Sequence, residues 1–137
     1  IPLALLAAAG RSPPLSILGT DYDTPDGSCI RDFIHVDDLA RAHVLALRHL
    51  LNGGAPLTLN LGSGRGTSVL EVMAAVERVT ARAVPHVNAP RRAGDPAVLV
   101  ADTHLAEERL GFVVRHGEIE KIIAHAAPWF GHQVLHA

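Results

Sequence analysis

The stretch CIRDFIHVDDLARAHVLAL, residues 29–47, predicts a strand that runs directly into a helix. Residues 29–36 are mostly apolar, which favours an extended segment. Asp37 stands where a helix N-cap is expected. After Asp37 the apolar residues recur at three- and four-residue spacing, which is typical of an amphipathic helix that ends at residues 52–54.

The same alternation of strand and helix patterns continues along the chain. Short apolar runs bounded by turn residues predict strands at residues 15–18, 57–61, 85–89 and 98–101. Helical spacing predicts helices at residues 1–9, 102–110 and 118–130, and another after Ser68, which forms a capping-box pattern with Glu71. Interleaved helices and strands predict an α/β fold.

Length and charge limit the classes of function. A chain of 137 residues is the size of one domain. Its net charge of −2 is not typical of a protein that binds nucleic acid or an anionic membrane surface. No apolar run approaches the roughly 20 residues of a membrane span. Cys29 is the single cysteine, so no internal disulfide forms, and we expect a reducing, cytoplasmic location and an inert thiol. The chain begins at Ile1 rather than at a methionine, and we expect that further residues lie upstream in the parent gene or have been removed.

The glycine-rich loop GSGRG, residues 62–66, follows a predicted strand and precedes a predicted helix, as a phosphate-binding turn does. The third glycine of the dinucleotide fingerprint is replaced by Thr67, and the expected acidic residue is replaced by Asn88. We therefore interpret the loop as a structural turn rather than a cofactor loop.

Nine histidines raise the question of a metal site. His35 with Asp37 and Asp38 is the best cluster, and its interpretation as a strand end followed by a helix cap is favoured over metal binding. His132 and His136 are four residues apart in a predicted tail. We predict no metal site, because the histidines do not follow ligand spacing.

Arginines give the most specific signal from the residues themselves. Arg31 interrupts an apolar strand, so it needs an anion or a carboxylate partner. Arg91 and Arg92 stand side by side, three residues before Asp95. Two guanidinium groups can bind a diphosphate and a carboxylate can bind ribose hydroxyls. The alternative is a network of internal ion pairs, with Arg31 paired to Asp32 or to Asp95.

Three stretches together resemble the UDP-glucose 4-epimerase family of the extended short-chain dehydrogenases/reductases: RDFIHVDDLA (31–40), LNLGSGRGTSVLEV (59–72) and RRAGDPA (91–97). The resemblance runs from Ile1 to Phe130. It implies that the chain is the C-terminal, substrate-binding part of a Rossmann-like epimerase and lacks the N-terminal NAD-binding half. It also implies one UDP-sugar-binding domain over residues 1–137, with a flexible tail at 131–137.

The resemblance also assigns substrate-binding residues. It implies that Arg31 and Arg92 contact the UDP phosphates and that Asp95 contacts the uridine ribose. Phe33 stands where the family often has tyrosine, so a hydroxyl contact is lost. The short strand along the uracil is implied to be Ser16, Ile17 and Leu18.

Family members interconvert UDP-glucose and UDP-galactose by NAD-dependent oxidation and reduction at C4, with a Tyr-x-x-x-Lys pair that handles the proton. Here Tyr22 is the single tyrosine, Asp26 lies four residues later, and Lys121 is the single lysine. The resemblance thus predicts a chain that binds a UDP-sugar, contains no catalytic and no NAD-binding residue, and is inactive alone. It also predicts two partners: the missing NAD-binding region and, in the complete enzyme, the second subunit of a homodimer. The alternatives are a non-catalytic nucleotide-sugar-binding or interaction module and an inactive truncated fragment.

Overall fold

Residues 1–134 are described by a computed structural model. The helices are α1 (Pro2–Ala8), α2 (Val36–Leu51), α3 (Val69–Thr80), α4 (His104–Leu110) and α5 (Ile119–Ala126), and a 3₁₀ helix (Ala127–Phe130) follows α5. The strands are β1 (Leu15–Leu18), β2 (Ile30–Asp32), β3 (Gly66–Ser68), β4 (His86–Ala89) and β5 (Val98–Leu99). The predicted α/β class is confirmed. Residues 135–137 of the predicted tail, including His136, lie outside the described residues.

Two small sheets position the rest of the chain. In one sheet β1 pairs with β4 in parallel, with Leu15 opposite His86. In the other sheet β2 lies in the middle, antiparallel to β3 and parallel to β5. Arg31 on β2 is thereby opposite Thr67 on one side and Leu99 on the other.

The main core lies between α1, α3 and α5. Leu5, Val76 and Ile123 are fully buried there, one from each helix, and Ile17 of β1 packs with them. Burial of side chains of this size contributes about 1.5–3 kcal/mol each. A second, smaller cluster joins α2 to α4 around Phe112.

Helix starts follow local capping chemistry, and one predicted cap is wrong. The capping box of α3 is confirmed, because Ser68 accepts from the Glu71 N–H and Glu71 accepts from the Ser68 N–H. The N-cap of α2 is His35 rather than Asp37, and its Nδ1 accepts the Asp37 N–H at 3.0 Å. An imidazole nitrogen thus does what a carboxylate or hydroxyl oxygen usually does.

The predicted strand at residues 57–61 is also wrong, since this segment has no strand pairing among the described residues. Its leucines alternate as a strand requires, but Leu57 is exposed and Leu59 and Leu61 only partly pack against the cluster at α2 and α4. A strand needs a neighbouring backbone to satisfy its hydrogen bonds, and apolar alternation alone does not supply one.

Among residues 1–134, no helix combines the length and the apolar character that crossing a membrane requires.

Candidate functional site

A cavity of about 490 Å³ lies between α1, β1, β2, the start of α3 and the loop before β5. Its floor and walls are mostly apolar, from residues including Leu3, Val72 and Met73. Polar groups enter it from one side. Six of the seven residues that the sequence proposed for substrate binding line this cavity: Ser16, Leu18, Arg31, Phe33, Arg92 and Asp95.

The seventh residue, Ile17, has its side chain in the core instead. Successive side chains of a strand point to opposite faces, so Ser16 and Leu18 of β1 reach the cavity while Ile17 is 2% exposed in the main core. The side chain of Ile17 therefore supports β1 from the core.

Arg31 is held in place by the loop that carries Asp95. Its Nη2 lies 3.5 Å from Asp95 Oδ1, and its Nη1 donates to the Pro96 carbonyl at 2.9 Å and to the Ile30 carbonyl at 2.7 Å. Both charged side chains stay partly exposed to the cavity. The Arg31–Asp95 ion pair, one of the alternatives that the sequence leaves open, is thus present. Both side chains also line the cavity.

The adjacent arginines Arg91 and Arg92 have different environments. Arg91 donates from Nε to Asp21 Oδ1 at 2.7 Å, donates to the Asp21 carbonyl, and lies over the Tyr22 ring at 4.3 Å from its centroid. Asp21 receives this hydrogen bond, which lowers its pKa, and the same bond raises the pKa of Arg91. Arg92 faces the cavity and makes no ion pair among residues 1–134. Arg92 is therefore a cation available to a ligand.

The glycine-rich loop 62–66 has a partner within the chain. The Asp32 carboxylate accepts from the Ser63 N–H at 2.7 Å, the Ser63 hydroxyl at 2.5 Å and the Gly64 N–H at 3.1 Å. The amides that a phosphate would need are thus already bonded to a carboxylate. These hydrogen bonds support the interpretation as a structural turn rather than a loop for a dinucleotide pyrophosphate.

The structural role of Asp32 is not evident from the sequence pattern. The only available signal was an acidic residue on an apolar strand, directly beside Arg31, and that position suggested a partner for the arginine. The structure separates the two, because neighbouring residues of β2 point to opposite faces. Asp32 holds the glycine-rich loop while Arg31 faces the cavity.

None of the histidines among residues 1–134 lines the cavity. His35 is buried and lies in a cluster with His116 and His125, where burial first and the nearby His116 second lower its pKa. The helical spacing places His43 on the apolar face of α2, which predicts a hydrogen-bonded core histidine. This prediction is wrong about burial, because His43 is exposed and bonds the Leu39 carbonyl. His132 is buried, with Nε2 at 2.8 Å from the Leu5 carbonyl.

Known proteins are similar to this chain in sequence and in fold. Residues 1–62 match the NAD dependent epimerase/dehydratase family. A UDP-glucose 4-epimerase of Azospirillum brasilense is 54% identical over 129 residues, which are 94% of this chain and 37% of that protein.

Two solved structures superpose closely. UDP-glucose 4-epimerase from Brucella ovis, in complex with NAD, has a TM-score of 0.93 and 54% identity over 98% of this chain and 41% of that one. UDP-glucose-4-epimerase from Stenotrophomonas maltophila, with bound NAD and formylated UDP-arabinopyranose, has a TM-score of 0.87 and 44% identity over 93% of this chain and 38% of that one.

The chain spans about two-fifths of the length of the relatives that it matches. Sequence identity, coverage of nearly the whole chain and close superposition all indicate homology to the same group of enzymes. The chain is homologous to a partial region of UDP-glucose 4-epimerases.

Proposed function

We propose that this chain is the C-terminal, UDP-sugar-binding region of a UDP-glucose 4-epimerase. The observation that carries the proposal is the single cavity in which Arg31, Arg92 and Asp95 meet one edge of β1. Its volume of about 490 Å³ lies within the range usual for small-molecule sites. A relative binds formylated UDP-arabinopyranose, which is a nucleotide sugar of the same class.

Each polar group of the cavity has a distinct part in this proposal. Arg92 offers an unpaired guanidinium fork to the diphosphate, because such a fork binds phosphate oxygens through two parallel hydrogen bonds. Arg31 adds a second cation beside it and fixes the loop of residues 92–95 through the Pro96 carbonyl. Asp95 accepts from the ribose hydroxyls.

The apolar side of the cavity receives the base. Leu18 and the backbone of β1 run along the uracil, and the Ser16 hydroxyl offers it a polar contact. Phe33 closes the wall with an aromatic ring and no hydroxyl. Ile17 contributes through its backbone alone, since its side chain is in the core.

Oxidation and reduction at the sugar C4 need groups that this chain does not supply. No Tyr-x-x-x-Lys can be written in the sequence, and the loop 62–66 does not fit a dinucleotide. We infer that NAD, when bound by the complete enzyme, accepts and returns the hydride, that the residues of this chain only hold the substrate, and that the chain alone is inactive. A homodimer and a cytoplasmic location of the complete enzyme remain predictions.

Isothermal titration of the chain with UDP tests the proposal, with Arg92→Ala as the variant. Loss of a charge-assisted contact to the diphosphate is expected to raise Kd about ten- to hundredfold. Arg91→Ala is the matched control, because its guanidinium serves Asp21 and Tyr22 instead. The control is expected to change Kd by about twofold or less.

Arg31 is a poorer probe, since its removal also releases the loop at Pro96. The proposal is wrong if the unaltered chain takes up no UDP, or if Arg92→Ala and Arg91→Ala have the same affinity as the unaltered chain.

A further inference from the structure

Three histidines from separate segments meet at the start of α2, outside the UDP-sugar cavity. The ring centroid of His35 lies 4.6 Å from that of His116 and 5.0 Å from that of His125. His35 is buried, while His125 on α5 is exposed. His35 Nε2 and His125 Nδ1 lie 2.9 Å apart, so one of the two nitrogens carries a hydrogen and the other accepts the hydrogen bond.

The backbone fixes which nitrogen carries the proton. The Asp37 N–H is a donor only, and it points at His35 Nδ1 at 3.0 Å. A neutral imidazole has one acceptor and one donor nitrogen, so His35 Nδ1 is the acceptor and His35 Nε2 carries the hydrogen. Nε2 then donates to His125 Nδ1. The proton of neutral His125 therefore sits on its outer nitrogen, Nε2.

The result is a chain of hydrogen bonds with one direction, from the Asp37 N–H through His35 to His125. Adding a proton to His125 Nδ1 places two donors face to face. The hydrogen bond between His35 and His125 is then lost. It forms again only if His35 Nε2 releases its proton to solvent and Nδ1 takes one up from solvent, and that exchange removes the helix cap. Protonating His35 itself also puts a hydrogen on Nδ1 and removes the cap.

A metal ion suits this arrangement less well. His35, Asp37 and His116 offer ligand atoms within 4.8 Å of one another. Metal-bound histidines generally donate their second nitrogen to an acceptor. Here the second nitrogen of His35 accepts a backbone N–H, so a metal at Nε2 would leave two hydrogens facing each other at the helix cap.

We propose that proton uptake by His125 on α5 is coupled to the N-cap of α2 through His35. The coupling goes beyond the proposed function and stands without it. Its consequence reaches the cavity, because Phe33 precedes His35 by two residues on the same segment. His125 is thus a positioning residue for the junction between β2 and α2.

Several charged and titratable groups face the pair. On α2, Asp37 and Asp38 favour a proton on His35, while His116 and His125 oppose it. Asp38 is already bonded to Arg41 and to the backbone N–H groups of Arg115 and His116, which limits its effect on the pair. Ile1 also lines the small cavity shared by His35 and His125.

Nuclear magnetic resonance of the chain tests the coupling. Long-range ¹H–¹⁵N spectra report the tautomer of each histidine. We expect His35 with its proton on Nε2 and His125 with its proton on Nε2. On acidification we expect the Asp37 amide and the His125 ring to shift with one common midpoint.

His125→Gln separates coupling from packing. A glutamine carbonyl still accepts from His35 Nε2 but takes up no proton in this range. Because His125 opposes a proton on His35, its replacement is expected to move the Asp37 amide transition to higher pH, by about half a unit or more. His43→Gln is the control. His43 is an exposed histidine of α2, the helix that contains Asp37, and it bonds the Leu39 carbonyl. This variant is expected to leave the transition in place.

Two results overturn the proposal: neutral His35 with its proton on Nδ1, or an Asp37 transition unchanged in His125→Gln. The tautomer measurement uses the unaltered chain, so it decides even if the variant fails to fold. A chain that shows the coupling but binds no UDP would contradict the proposed function alone.

Discussion

Arg91 and Arg92 show how neighbouring residues of one type take different parts. The first is bonded to Asp21 and stacked on Tyr22, so it fixes the turn after β1. The second is left to face the cavity. The residue pattern alone does not distinguish the adjacent arginines, whereas the resemblance assigns Arg92 to the phosphates. That choice depends on the path of residues 19–27, which no spacing rule fixes.

Asp32 on β2 accepts four hydrogen bonds. It accepts from two backbone N–H groups and the hydroxyl of the loop 62–66, and from the Ala101 N–H at 3.3 Å. A side chain added at Gly62 would collide with this carboxylate, which explains why glycine stands there.

Asp32→Asn is expected to lower the free energy of unfolding by about 1–3 kcal/mol, because an amide nitrogen would face N–H donors. Urea denaturation followed by circular dichroism measures this change. Asp102→Asn is the control, since Asp102 is exposed and accepts a single N–H from His104. Equal stability of the two variants would contradict the structural role of Asp32.

At the scale of the elements, the start of α2 depends on a titratable cap. Burial lowers the pKa of His35, so the folded chain binds fewer protons there than the unfolded chain. The stability that neutral His35 contributes is therefore complete above the ordinary histidine pKa of about 6.5 and decreases as the pH falls below it.

We predict that the free energy of unfolding is smaller at pH 5 than at pH 7.5, and that His35→Asn reduces this difference. Asparagine is a good N-cap and takes up no proton. The measurement is urea denaturation at both pH values, comparing the difference between them rather than either value alone. A pH dependence that is the same in the variant would argue against His35 as its source.

Local chemistry decides how much of these elements the sequence predicts. The capping box of Ser68 and Glu71 and the positions of β1 and β4 follow from residue patterns and were predicted correctly. The cap of α2 was placed two residues late, because a histidine rarely caps a helix while aspartate often does. The segment 57–61 has the pattern of a strand and lacks a neighbouring backbone, which is a property of the tertiary structure.

For the whole molecule, the outer face of α2 stands out. Val44, Leu47, Leu50 and Leu51 are between 48% and 77% exposed, and Leu57 extends the same apolar area. Contiguous exposed apolar surface is uncommon on monomeric proteins and favours association.

We predict that the isolated chain self-associates or melts with low cooperativity, and that Leu47→Glu with Leu51→Glu shifts it towards monomer. Sedimentation velocity measures the change. Val87→Glu, which charges an exposed apolar residue outside this area, is the control and is expected to leave association unchanged. A sharp monomer boundary and a cooperative melt of the unaltered chain would refute the prediction.

The pairing of distant segments has a consequence during synthesis. β1 pairs with β4, and Arg31 bonds Pro96 across 65 residues of sequence. Contacts between distant segments form only when the later partner exists. A nascent polypeptide released from the ribosome as far as α3 would therefore display Arg31 and Phe33 with no opposing wall, and nucleotide capture would begin only after translation has passed Asp95.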